Sequence, residues 1–139
     1  MSTTRARTLN RVLWTAQTLI ALLFLFAGSM KFIMSPEQMQ QGPIVLPIDF
    51  IRFIGTCEIL GAFGLVLPGL FRIRTELTSL AAVGLTLIMS GATTISIASM
   101  GVSAAIVPFV VGVIAASIAY ARTRVVPLSD APRRVLRAA

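Results

Sequence analysis

Four long apolar runs, separated by short polar or turn-forming stretches, set the pattern of this chain. They lie near residues 12–34, 47–68, 76–99 and 102–121. Each is close to the ~20 residues that an α-helix needs to cross the hydrocarbon of a bilayer. The pattern predicts an all-α fold, a four-transmembrane-helix bundle. A polar basic segment (1–10) precedes the membrane domain (11–121), and a basic tail (122–139) follows it. The one substantial loop, Ser35–Leu46, carries turn chemistry around Pro36, Gly42 and Pro43. Pro47 suits a helix start, and Leu67-Pro68-Gly69 reads as a stop signal. Gly101 marks a tight connection between the last two runs. The first run is longer than the ~7–15 apolar residues of a signal peptide, so it is expected to remain as a span.

The polar residues inside these runs carry the interest. Glu58 sits within the second run, and an ionisable group in hydrocarbon costs enough to be a functional-site hypothesis by default. Helical spacing puts Ile51, Gly55, Glu58, Ala62 and Leu65 on one stripe, with Phe53, Leu60 and Leu67 opposite. Small residues favour close helix approach, so the Glu58 stripe is expected to face the bundle and the bulky face to meet lipid. On the first run, Gln17, Ile20, Phe24, Ala27, Gly28 and Lys31 share a face. The sequence leaves Lys31 two fates: its ammonium reaches the headgroups, or it pairs with an acid in the bundle. Thr86, Ser90 and Thr93 form a hydroxyl stripe on the third run. Bonding to their own i−4 carbonyls is the favoured reading, and a polar wall toward Glu58 is the other. Asp49 and Arg52 are spaced to bond locally. Gly112 and Ala116 are packing vocabulary that does not separate contact within the bundle from contact with another copy.

Charge adds orientation. Of 12 Lys and Arg residues, all but Lys31 and Arg52 fall at one side of a four-span topology. These are Arg5, Arg7, Arg11, Arg72, Arg74, Arg122, Arg124, Arg133, Arg134 and Arg137. The positive-inside rule then places both termini in the cytoplasm, with Trp14 and Tyr120 at the same interface. The net charge of +7 therefore points to membrane orientation and not to nucleic acid. Glu58 lies about 14 Å along the helix from Asp49. Lys31, Glu58, Ser90 and Thr93 thus share the outer half of the bundle, with Gln17 deeper.

Composition narrows the chemistry. The chain is 56% hydrophobic and only 12% charged, about half the charged share of a soluble domain. It has one cysteine and no histidine. Imidazole metal ligands, His-ligated haem, an internal disulfide and Ser–His or Cys–His nucleophiles are excluded. No metal site and no intrinsic cofactor are expected.

The text LFLFAGSMKF (23–32), FIGTCEILGAFGLVLPG (53–69) and LTSLAAVGLTLIMSGATT (77–94) resembles the DoxX-like family of small four-helix membrane proteins. The resemblance runs over about residues 11–122. It implies that Lys31 and Glu58 take the family's charged positions. Many relatives carry a histidine just past the helix-three Gly-Ala pair, where this chain has Thr93, Thr94 and Ile95. The resemblance also implies a cytoplasmic membrane of bacterial type and an association with quinone-linked respiratory proteins. The leading expectation is an accessory or ligand-binding subunit. It would hold a quinone or other apolar molecule through Glu58, Lys31, Gln17, Ser90 and Thr93, beside a membrane redox partner. A small membrane enzyme with Glu58 as general acid or base is the alternative. An oligomeric transporter or proton pathway ranks third.

Overall fold

The computed structural model describes residues 3–42 and 44–128. Arg133, Arg134, Arg137 and Pro43 lie outside the described residues. The helices are α1 (Thr3–Ile33), α2 (Pro36–Met39), α3 (Ile48–Phe71), α4 (Glu76–Met100) and α5 (Val102–Tyr120), followed by a π-helical turn, Ala121–Val125. No strand occurs among the described residues. Four helical stretches are long and apolar enough to span a bilayer. The N-terminal polar residues extend the first helix, since nothing between Thr3 and Arg11 breaks it. α3 runs through Pro68 and stops only where Arg72 turns left-handed (φ 53°), its N–H bonded to the Pro68 carbonyl. Arg74 is also left-handed (φ 46°). Two bulky residues in this region make the α3–α4 turn a strained one. Asp49 and Arg52 form no ion pair.

The loop opposite that turn opens with a capping box. Gln38 N–H donates to the Ser35 hydroxyl, and Ser35 N–H donates to Gln38 Oε1. Hydrogen bonds from its own backbone N–H and from Ser35 hold the exposed Glu37 carboxyl below its usual range.

Helix order in the bundle is α1 beside α3, α3 beside α4 and α4 beside α5, with a lighter contact between α1 and α5. Ile20, Phe24, Ala62, Leu65, Leu85, Ala115 and Ile118 bring all four long helices into one apolar core. Where α1 crosses α3, Gly28 and Gly55 meet backbone to backbone. A Cβ on Gly28 would come 2.7 Å from the Gly55 carbonyl oxygen. α3 meets α4 through Gly61 on Leu85 and Gly64 on Ala81, and Gly112 of α5 rests on Met89 of α4. Gly112 thus packs inside the bundle. The α3 stripe holds: Gly55, Glu58, Ala62 and Leu65 are buried, while Phe53, Leu60 and Leu67 are exposed.

This packing makes a first prediction. Gly55→Leu forces a side chain against the Gly28 carbonyl and Lys31 Cβ, overpacking of about 1–3 kcal/mol. Leu60→Ala changes an exposed position and should stay within about 0.5 kcal/mol. Unfolding in detergent measures both, and equal tolerance would mean that the stripe does not bear the α1–α3 contact.

Candidate functional site

An antiparallel crossing at two glycines brings the backbones of α1 and α3 together, and Lys31 and Glu58 each lie three residues beyond it on their own helix. Lys31 Nζ donates to Glu58 Oε2 at 2.6 Å and to the Ala27 carbonyl at 3.4 Å. This is the one ion pair among the described residues. Helix geometry explains why the ammonium turns inward. The Cα–Cβ bond tilts toward a helix N-terminus, and Lys31 is near the C-terminus of α1, so its stem leans back into the bundle. The Glu58 side chain is 3% exposed and that of Lys31 26%. No described residue donates to Glu58 Oε1.

The pair lines a cavity of about 750 Å³. α1 supplies Ala27 and Lys31, α3 supplies residues from Phe50 to Glu58, α4 supplies residues from Leu87 to Ser96, and Leu46 closes in from the loop. None of the lining residues belongs to α5. Apart from Lys31 and Glu58 the side chains are apolar, save Cys57 and Ser96. The α4 hydroxyls divide sharply. Thr86, Ser90, Thr93, Thr94 and Ser99 each donate to the carbonyl four residues back. Ser96 makes no side-chain hydrogen bond with the described residues.

The expected site residues therefore separate. Lys31 and Glu58 come together. Ser90 and Thr93 have the expected depth but face the other side of α4, where Thr86, Pro108, Phe109 and Gly112 join them around a cavity of about 310 Å³. Gln17 lies at the opposite end of the bundle. Its Nε2 donates to the Leu65 carbonyl at 2.7 Å, and Leu65 is seven residues, or about 10 Å of helix, beyond Glu58. Ser96 and Cys57 are cavity residues that depth reasoning passed over. Ser96 shares the Ala92 side of α4, which helical spacing could have shown.

Arg122 departs furthest from expectation. The sequence counts it in a basic tail on the cytoplasmic side, yet it is 3% exposed. Its Nε donates to Gln17 Oε1 and its Nη1 to Asn10 Oδ1, both at 2.7 Å, and Nη1 also reaches the Val126 carbonyl at 3.3 Å. The guanidinium stands 5.7 Å from the Trp14 ring centroid, a cation–π distance. Nη2 has no partner, and no described carboxylate pairs with the group. The π-helical turn closes through the Val126 N–H and the Ala121 carbonyl, and the chain then passes under the α3–α4 turn. There Thr75 donates to the Leu128 carbonyl, and Leu128 packs at Gly69. Residues 122–128 thus belong to the bundle. Asn10, Trp14 and Gln17 fall on one face of α1. A face that can hydrogen-bond at Asn10, Trp14 and Gln17 was the signal for a buried partner.

Chemically, the first site offers a carboxylate oxygen without a donor, an ammonium at its side and a hydroxyl on the facing wall. The second is a hydrogen-bond network that ties the π-helical turn after α5 to α1 and, through Gln17, to α3. Among the described residues no group of three or more His, Cys, Asp or Glu side chains could hold a metal ion.

No curated protein and no solved structure matches the chain. A family model described as DoxX-like matches residues 15–118, which take in α3 and α4 whole, most of α1 and α5, and both members of the ion pair. The chain is an integral membrane protein of the DoxX-like family.

Proposed function

We propose that this protein is a ligand-binding accessory subunit of a membrane redox system, and that its ligand is a quinone-type molecule held at Lys31 and Glu58. The observation that carries the reading is a nearly buried carboxylate with a donor-free oxygen on the wall of an apolar cavity. At about 750 Å³ the cavity has the volume of ligand pockets. Glu58 Oε1 accepts from a hydroxyl, and the remaining Lys31 N–H donates to a carbonyl. A quinol and a quinone present those two groups. The chain has no histidine and a single cysteine, so electrons reach such a ligand from a partner.

Purified protein in nanodiscs, titrated with decylubiquinol and followed by native mass spectrometry, tests the reading. Wild type and Arg124→Gln should bind alike, and Glu58→Gln and Lys31→Met should bind at least tenfold more weakly, about 1.4 kcal/mol or more. Equal binding by all four proteins would sink it.

The arginine-rich end is proposed to face the cytoplasm of a bacterial-type cell, by the excess of arginine at the α3–α4 turn, the N-terminal turns of α1 and the π-helical turn after α5. In a Cys57→Ala background, an impermeant maleimide added to whole cells should label Gln40→Cys and spare Arg74→Cys. The reverse pattern would invert the topology.

A further inference from the structure

α3 and α4 touch at the arginine-rich half of the bundle and part toward the other. Their close contacts are Gly61 on Leu85 and Gly64 on Ala81. Beyond Gly61 the facing residues are Ile54 and Cys57 on one side and Gly91 and Ile95 on the other, and all four line the large cavity. Lys31 and Glu58 belong to the same cavity, with α1 contributing Ala27 and Lys31 to its wall. No helix covers the front: α5 contributes nothing to the lining. At the rim, Phe53 is 63% and Leu87 68% exposed. Gly91 has nothing within 4 Å of where a Cβ would stand. In a membrane span, such a rim meets hydrocarbon.

We infer that the wedge between α3 and α4 is a lateral doorway, through which a lipid-dissolved molecule enters from the bilayer and sets its polar head on Lys31 and Glu58. This deepens the proposed function, on whose ligand site it rests, by naming the phase from which the ligand comes. The ligand class follows from the walls. Its body is apolar and matches Phe50, Ile54, Ile88 and Ile95. Its head carries a hydrogen-bond donor for Glu58 Oε1, and a second polar group finds Ser96, whose hydroxyl has no partner among the described residues. A water-soluble metabolite would shed its hydration against these apolar walls.

The chain carries its own reporter. Cys57 is its single cysteine, is half-buried and lines the cavity next to Glu58. In nanodiscs, lipid-soluble N-phenylmaleimide should modify Cys57 at least tenfold faster than a charged, impermeant maleimide does. Gly91→Phe sets its Cβ in open space at the doorway and should slow the lipid-soluble reagent at least tenfold. Gly84→Phe is the matched control: Gly84 is on the same helix with nothing within 4 Å, yet it is outside the cavity. That variant should react as wild type does. Comparable rates for the two reagents, an unchanged rate in Gly91→Phe, or a thiol that reacts only after unfolding would each overturn the doorway. Decylubiquinol should in addition protect Cys57. Normal doorway behaviour without protection would count against the quinone reading alone and leave the lateral route standing.

Discussion

Arg122→Ala should lower stability by about 3 kcal/mol, since three hydrogen bonds to a charged group are lost and the buried Gln17 Oε1 is left without its donor. The loss comes from both ends of the network. Asn10 Oδ1 and Gln17 Oε1 each lie 2.7 Å from the guanidinium, and Gln17 in turn holds the Leu65 carbonyl. Trp14 also loses the cation on its face. Arg122→Lys should recover only part of the loss, because an ammonium does not reproduce the planar fork that meets two acceptors at once. The comparison is Arg124→Ala, an exposed neighbour in the same turn that should change stability by no more than about 0.5 kcal/mol. Unfolding in detergent micelles reads all three. If Arg122→Ala costs no more than Arg124→Ala, the network does not hold the helix ends together.

The second large effect belongs to the Lys31–Glu58 pair. Removing one partner of a buried pair leaves an uncompensated charge, at a cost of about 3 kcal/mol or more. Exposure makes the two single changes unequal. Lys31→Met strands a carboxylate that is 3% exposed, whereas Glu58→Gln strands an ammonium that is 26% exposed and on a flexible stem. Lys31→Met should therefore be the more damaging by about 1 kcal/mol or more, the freed ammonium of the other variant having the headgroups within reach. The double variant should be more stable than the sum of the single losses implies, with a coupling of about 1 kcal/mol or more. Additive losses would show that the 2.6 Å contact contributes nothing to the fold.

How much of this was legible in the sequence differs from residue to residue. The four spans and the buried stripe of α3 follow from length and from a 3.6-residue period, so they survive any detail of packing. The sequence leaves Lys31 between two fates, although the tilt of side chains toward a helix N-terminus favours the inward one. Ser90 and Thr93 show the limit of arguing from depth: rise per residue gives height in the membrane, and only packing gives azimuth. α4 turns those hydroxyls to α5 and offers Ser96 to Glu58's cavity instead. Arg122 reads as tail because it stands just past the last apolar residue, with further arginines after it. A local widening from α to π, which no propensity rule foresees, returns its side chain to the bundle.

Gly101 has a consequence for how the protein is made. It alone joins α4 to α5, with φ 88° and ψ 174°, backbone angles open essentially to glycine. A joint of one residue gives no slack, so neither helix can settle at its final depth while the other waits in water. Such a joint favours entry of the two into the lipid as a single hairpin. Nor does that joint give a protease a loop to cut or an epitope tag a place to be inserted. On that side of the membrane, the handle for both is the longer stretch between α1 and α3, whose capped turn at Ser35–Met39 is exposed.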